Sequence, residues 1–425
     1  MNAGLALNDT TRRTEAGGTV IPVDIAAAKA LAIAAPLCDT ECMSLLEARG
    51  RVLACAVSAP INLPPFDNSA MDGYAVRLSD LADDGPWDLV VGGRVTAGAD
   101  PRTLELAAGT CVRVFTGAPT PGGFDAVVMQ EHCARAGDQI TITRRPRYGE
   151  NIRRTGEDIQ KGTGILQAGE SLNPQRLALL AGLGIVDVEV VRKVRIGLIS
   201  SGSELRYPGE ALAHGQIYNS NRTLIRSIIA ACPWAEIVDY GIVPDRQEEL
   251  ATAFGEAALV CDVLVSTGGV SAGDEDHVVS ALGQNGGKLD VLKVAMRPGK
   301  PLKIGRIGGM LFAGLPGNPN ATLITFRQIA LPAIRKIAGL HDVSPAWIAA
   351  VSGFAYDKLP GRTEFVPVRE TGRDPLGRPV LEMLSRGSSA NLSALALADG
   401  VALLPPDCVS IEVGGSLRFQ PFCDC

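Results

Sequence analysis

Aromatic residues are scarce, 4% of 425, against 46% hydrophobic residues overall. The cores must therefore be built largely from aliphatic side chains, in a composition ordinary for a folded soluble protein. Long hydrophobic runs are missing too. Val194–Ile199 and Val263–Val265 fall far short of the roughly 20 residues a membrane-spanning helix needs, so no membrane association is expected. An excess of one charge is also absent: 40 Lys and Arg face 46 Asp and Glu, a formal balance of −6. No stretch gathers Lys and Arg as a duplex-binding face would, which argues against nucleic acid as a partner. The first 20 residues carry Arg12 and Arg13 but no apolar h-region, and read as a polar tail with a cytoplasmic address.

Several catalytic signatures are wanting. No G-x-x-x-x-G-K-[ST] occurs, which excludes a P-loop, and no G-x-G-x-x-G opens the first strand–helix unit as a dinucleotide fold requires. The four histidines, His132, His214, His277 and His341, have no mutual metal-ligand spacing. The ten cysteines are scattered without a C-x-x-C pair and read mostly as buried thiols. Two close pairs, Cys38 with Cys42 and Cys423 with Cys425, leave a soft-metal role open.

What is present reads as an α/β multidomain protein, since 425 residues exceed one hydrophobic core. After a tail over 1–21, a first region over 22–191 opens with an alanine-rich helix around Ile25–Ala35. Ser44-Leu45-Leu46-Glu47 has capping-box spacing and predicts a short helix stopped by Gly50. Short strands at Asp88–Val91, Cys111–Val114, Ala126–Met129 and Gln139–Thr143 predict an irregular, mostly-β N-terminal region of two subdomains. A second region over 194–339 alternates strands and helices: strands at Val194–Ile199, Ile237–Tyr240, Val263–Ser266, Leu289–Val294 and Met310–Ala313, helices through Leu224–Ile229, Gln247–Leu259 and Val278–Leu282, and a closing helix over Asn320–Ala338. That alternation predicts a central doubly wound α/β domain. A third region over 346–421, with strand-like runs at Ile348–Val351, Glu364–Val368, Val380–Leu384 and Val401–Leu404, predicts a small C-terminal β-barrel.

In a doubly wound sheet, ligands bind outside the carboxyl ends of the strands. After Val194–Ile199 comes Ser200-Ser201-Gly202-Ser203-Glu204, small residues ending on a carboxylate. After Val263–Ser266 comes Thr267-Gly268-Gly269-Val270-Ser271-Ala272-Gly273-Asp274-Glu275-Asp276, where glycines expose backbone N–H groups and three acids crowd together. A hard divalent cation such as Mg²⁺, bridging to phosphate, would neutralise them; helix N-capping is the competing explanation. Asp245, with Glu248 three residues on, reads on spacing alone as a helix cap. Arg297-Pro298-Gly299-Lys300 places two cations around a tight turn, suited to an oxyanion, and Gly314–Pro319 bends sharply before a helix, presenting free N–H donors.

These motifs together resemble the molybdopterin molybdenumtransferases, the MoeA and gephyrin E-domain group. The resemblance runs through Pro64–Val76, Thr116-Gly117-Ala118-Pro119, Glu150–Asp158, Ser201–Leu205, Asn219-Ser220-Asn221, Thr267–Asp276, Arg297–Pro301, Gly314–Pro319 and Ser385–Ser389, in one order along nearly the whole chain. It implies that adenylylated molybdopterin is the substrate, that molybdate donates the metal, and that AMP leaves with the help of Mg²⁺. It places Glu204, Asp245, Asp274 and Asp276 at the Mg²⁺–phosphate end. Thr267, Gly268, Gly269, Ser271 and Gly273 fall along the pterin, with Pro316 and Pro319 supporting. Lys293, Arg297, Lys300, Arg362 and Ser388 form a molybdate cradle. It further implies a homodimer in which Asp72, Thr116, Arg153 and Asp158 complete the partner's site, and contacts with the pterin adenylyltransferase and acceptor molybdoenzymes. The chain departs from the family at Arg297, for Lys; at Ser203, where a carboxylate is usual; and at Asn320-Ala321, for Val-Ser. Two other readings remain: a pterin adenylyltransferase, which the regions flanking the α/β domain argue against, and a non-enzymatic scaffold.

Overall fold

The computed structural model describes residues 20–269, 277–384 and 390–422. At its centre lies a six-stranded sheet in the order Ala235–Val243, Val194–Ser201, Val263–Thr267, Met310–Leu315, Pro301–Ile307, Lys288–Lys293. The first four strands run parallel and the last two pair antiparallel. Val194–Ser201 and Val263–Thr267 are buried almost throughout, as strands covered on both faces must be, which is why they read as unbroken apolar runs. On one face the helix Gln247–Val260 buries Leu250, Ala253, Phe254 and Ala257, a helical stripe. Its Phe254 meets Phe312 of the sheet with ring centroids 5.3 Å apart. The opposite face carries Ser220–Ala230, capped by the Asn219 side chain accepting from the Arg222 N–H at 3.1 Å.

The closing helix expected over Asn320–Ala338 is interrupted: Pro319–Thr325 and Leu331–Ile337 are α-helical, and Phe326–Ala330 between them is a π-helical turn. Against it packs the alanine-rich helix, Val23–Ile33. Its Ala26 and Ala30 are wholly buried in the central core, Lys336 Nζ donates to the Leu31 carbonyl at 2.8 Å, and Ile21 bridges to Val294. The smallness of the alanines lets the two helices approach, so this first helix belongs physically to the central layer rather than to the region that follows it.

Residues 40–191 leave and return side by side, Thr40–Ser44 pairing antiparallel with Asp187–Val191. The short helix expected after Ser44 is absent. Ser44 ends that strand and residues 45–47 form a turn; five cross-strand pairs outweigh one capping box, although the Ser44 hydroxyl does reach Glu47 Oε2 at 3.2 Å. Farther out, a six-stranded sheet runs in the order Ala126–Met129, Gly73–Val76, Thr110–Val114, Trp87–Val95, Gln139–Ile142, Cys133–Ala136, with cores on both its faces.

At the other end, Thr363–Arg373, Pro379–Met383, Ile348–Ser352, Ser416–Pro421 and Gly400–Leu404 pair in turn, and the last pairs back with the first. This closes a five-stranded barrel without free edges. No helix among the described residues is long and apolar enough to cross a membrane.

Candidate active site

The chain runs from Val194–Ser201 outward to Ala235–Val243, then crosses to Val263–Thr267 on the other side, so the topological switch lies between the first and third of these strands. Their carboxyl ends meet there. Ser200 Oγ and Thr267 Oγ1 are 3.0 Å apart, both fully buried. Gly268 follows at φ +85°, and a Cβ on it would fall 2.1 Å from the Ser201 carbonyl oxygen. Only glycine lets the two backbones close to this distance while keeping a left-handed conformation. Gly269, also left-handed at φ +66°, sits where a Cβ would lie 3.5 Å from both Asp245 Oδ1 and Ser201 Oγ.

Asp245 is not a helix cap. The N-cap position of Gln247–Val260 is Arg246, without a side-chain cap bond, and Asp245 instead accepts the Ser201 hydroxyl on Oδ1 at 3.0 Å. Turning toward the glycine loop joins this carboxylate to the sheet-end cluster. Glu204 is exposed and folded back, so that a Cβ at Gly202 would lie 2.7 Å from both its carboxylate oxygens. Among the described residues no group of three His, Cys, Asp or Glu is placed to hold a metal. Ser271, Gly273, Asp274 and Asp276, like Ser388 of the third region, lie outside the described residues.

A third loop closes the cluster. Gly317 comes close enough to Gly268 that a Cβ on Gly317 would meet its Cα at 4.0 Å, and the Gly317 carbonyl accepts from Asn221 Nδ2 at 2.6 Å. Pro316 is held by Thr322 Oγ1 donating to its carbonyl at 2.6 Å, and Pro319 opens the next helix from its first position. The helix Pro319–Thr325 spans about 10 Å at ~1.5 Å per residue. Its last residue meets the cation turn: a Cβ on Gly299 would strike Thr325 Cγ2 at 2.5 Å. The glycine loops and the Arg297–Lys300 turn therefore sit at opposite ends of one short helix.

The cation turn is fixed by backbone pairing. Lys293 faces Pro301 across its strand pair, and the Val294 N–H donates to the Lys300 carbonyl at 2.9 Å. Met296 and Arg297 pair parallel with Thr363 and Glu364 of the barrel, which brings exposed Arg362 alongside. Arg297 reaches buried Glu364 at 3.6 Å, and the Tyr356 hydroxyl donates to the same carboxylate at 3.1 Å. Burial, then the Glu364 charge, pushes the Tyr356 phenol above its ordinary value. Four of the five residues expected to cradle molybdate thus gather where the central domain meets the barrel.

In the first region the segment Pro64–Tyr74 is held by two matching clamps. Asp72 Oδ1 accepts from both the N–H and the hydroxyl of Thr116, each at 2.8 Å. Asp67 Oδ1 accepts the Thr155 N–H at 2.8 Å and its hydroxyl at 2.9 Å, while Oδ2 takes Arg154 at 2.6 Å. The Thr116 N–H and hydroxyl hold the Asp72 carboxyl below the usual range. For Asp67 burial pushes upward, but Thr155 and Arg154 together outweigh it and the net direction is down. Asp67, Thr155 and Arg154 were not among the expected site residues. The available signal was a repeated pattern, an Asp partnered by Thr-Gly, in Thr116-Gly117 and Thr155-Gly156, both glycines left-handed. Arg153 and Asp158 are exposed. No hydrogen bond or ion pair among the described residues links Asp72, Thr116, Arg153 or Asp158 to the central loops.

A doubly wound α/β domain with its loops gathered at the switch point, flanked by a β-rich region and a closed barrel, defines a three-part class whose ligand site lies at the strand ends of the central sheet. Family models match the chain in that order: the MoeA N-terminal region (domain I and II) over residues 21–184, a probable molybdopterin binding domain over 197–336, and the MoeA C-terminal region (domain IV) over 349–422. The molybdopterin molybdenumtransferase of Haemophilus influenzae is 36% identical over 392 residues, covering 90% of this chain and 94% of that one. The protein of the same name from Bacillus subtilis is 32% identical over 395 residues, 89% of each chain. The crystal structure of the molybdopterin biosynthesis moeA protein from Pyrococcus horikoshii OT3 superposes with a TM-score of 0.81 at 28% identity, covering 95% of this chain and all of that one. The chain belongs to the molybdopterin molybdenumtransferase family.

Proposed function

We propose that the protein transfers molybdenum from molybdate into adenylylated molybdopterin, releasing AMP, in the biosynthesis of the molybdenum cofactor. The observation that carries this reading is the single helix Pro319–Thr325, with a glycine-lined sheet end at its start and the Arg297–Lys300 turn packed against its last residue. A pterin phosphoanhydride needs close backbone approach along its ring and charge neutralisation at its phosphates; a tetrahedral oxyanion needs several cations at short range. In this reading Thr267, Gly268 and Gly269, with Gly317 behind them, line the pterin end. Lys293, Arg297, Lys300 and Arg362 hold molybdate, joined by Ser388.

Mg²⁺ fits the donor chemistry. Asp245 keeps Oδ2 without a hydrogen bond among the described residues, Glu204 is solvent-facing, and both are hard oxygen donors. With Asp274 and Asp276 they would hold the ion, which when bound supplies positive charge against the anhydride phosphates. Ser201 orients Asp245, and the buried Ser200–Thr267 pair keeps the two strand ends in register.

The Asp72 and Asp67 clamps present Pro64–Tyr74 as a preformed surface bearing exposed Phe66 and Met71. In this reading that surface meets the central domain of a second copy, so that Asp72, Thr116, Arg153 and Asp158 complete the partner's site and the working unit is a homodimer. The test is AMP release from adenylylated molybdopterin by the purified protein with and without molybdate. Release that requires molybdate supports the reading; consumption of ATP with molybdopterin alone would instead make the protein an adenylyltransferase.

A further inference from the structure

The apolar core on one face of the central sheet ends in a buried polar layer. Leu198 and Val265 belong to that core, and by strand alternation Ser200 and Thr267 follow them on the same face, their hydroxyls 3.0 Å apart. Two helices cover this face side by side, Ser220–Ala230 and Pro319–Thr325. Ile225 and Ile324 are wholly buried in the same core, and one turn earlier on each stripe come Asn221 and Asn320. Both asparagines are buried, at 9% and 4% exposure. Asn221 donates from Nδ2 to the Gly317 carbonyl at 2.6 Å, but its Oδ1, like the Oδ1 of Asn320, accepts no hydrogen bond among the described residues. Asn219, also buried, accepts the Arg222 N–H on Oδ1 and leaves Nδ2 without an acceptor.

A buried polar atom left unpaired is costly, and three beside one loop point to a ligand that fills them. We infer that Asn219, Asn221 and Asn320 read the heterocycle edge of the substrate. Two side-chain carbonyls accept from neighbouring ring N–H groups, and one side-chain N–H donates to a ring carbonyl. An aminopyrimidinone carries that set: the N3–H, the 2-amino group and the 4-oxo group of a pterin. Guanine presents the same edge, whereas adenine lacks the two adjacent donors. The three amides are uncharged, as suits a neutral ring. Gly317, held by Asn221, approaches Gly268, so the layer adjoins the loop that lines the pterin in the transferase reading, on which this inference rests. The Val usual in the family at position 320 could make no such bond, so the contact from Asn320 is particular to this chain.

The test titrates 6-hydroxymethylpterin into the full chain and follows quenching of the pterin's own fluorescence. The wild-type chain is expected to bind it about ten-fold more tightly than the 2,4-diaminopteridine analogue, in which N3 loses its hydrogen and the 4-oxo acceptor becomes a donor. Asn320→Val should weaken pterin binding about ten-fold and bring the two ligands toward parity. A role confined to structure would weaken both ligands equally, and that result, like no pterin binding to the wild-type chain, overturns the inference. In thermal unfolding without ligand, Asn320→Val should keep or raise the midpoint, since it removes an acceptor that has no partner; a lowered midpoint would make the side chain structural and is equally fatal. AMP and GMP are expected to leave the pterin signal unmoved, and displacement by either would assign the amides to a nucleotide base instead. Molybdate-dependent AMP release from the wild-type chain tests the transferase reading separately. With that release intact, an unchanged pterin preference in Asn320→Val overturns this inference alone.

Discussion

Asp72 and Thr116, 44 residues apart in sequence, are joined by two hydrogen bonds to a single carboxylate oxygen. The geometry fixes one oxygen and leaves Oδ2 without a donor among the described residues. Asp72→Asn is expected to leave fold and oligomeric state unchanged while lowering molybdenum transfer by about 100-fold, as loss of a positioned charge does. Full activity in that variant would remove Asp72 from the site.

The same pair has a signature in pH. A carboxyl whose folded value is depressed contributes stability above its unfolded value of about 4, and that contribution is lost as pH falls through the lower folded value. Thr116→Val keeps the N–H and deletes the hydroxyl, so the folded value should rise toward the ordinary one. Carboxyl-resolved NMR titration of the two proteins is the measurement; identical Asp72 curves would refute the assignment.

Asp67→Asn tests the second clamp. Its ion pair with Arg154 is partly solvated and worth little by itself, so the expected loss of about 1–2 kcal/mol comes mostly from the charged hydrogen bonds to Thr155. Urea unfolding at neutral pH should show that loss. The gap should close in acid, where the wild-type carboxyl is protonated as well.

Gly268→Ala adds a Cβ 2.1 Å from a backbone carbonyl in a left-handed conformation. Strain of about 1–3 kcal/mol from the conformation alone, with the clash added, should separate the strand ends. Calorimetry is expected to show a fold still formed at lower midpoint, and isothermal titration a loss of adenylylated pterin binding. Gly162→Ala, left-handed with nothing within 4 Å, is the control for the backbone term.

Asp245→Asn retains an acceptor for the Ser201 hydroxyl but removes the charge, whereas Ser201→Ala retains the charge and removes its orienting bond. If the carboxylate neutralises a cation at the phosphates, the first variant should lose about 100-fold in turnover and the second about ten-fold. The second should also recover partly at raised Mg²⁺. The reverse ranking would make the hydroxyl the working group.

The central domain was legible because burial on two faces leaves strands as uninterrupted apolar runs ending on small residues, as in Val194–Ser201 and Val263–Thr267. Pro301–Ile307 does not read as a strand in sequence because Lys303 and Arg306 break its apolar character, although Lys303 is buried. The Ser44–Glu47 capping box was a correct local signal overridden by strand pairing. Asp245 departs from its local signal for the opposite reason: its spacing suits a cap, and only the loop from the neighbouring strand supplies Ser201 as a competing donor. The Asp67–Thr155 clamp lies beyond any local reading, since its two halves are 88 residues apart.

The seating of Val23–Ile33 on Leu331–Ile337 sets an order of events during synthesis. Val23–Ile33 has its packing partner roughly 300 residues downstream, which at ~5–20 residues per second of synthesis is a delay of about 15–60 s. Through that interval its Ala26–Ala30 face is uncovered while residues 40–191 can already close on themselves. A helix so rich in alanine exposes little apolar surface as it waits, and this makes it a safer early segment for a nascent chain than a leucine-rich helix would be in the same position.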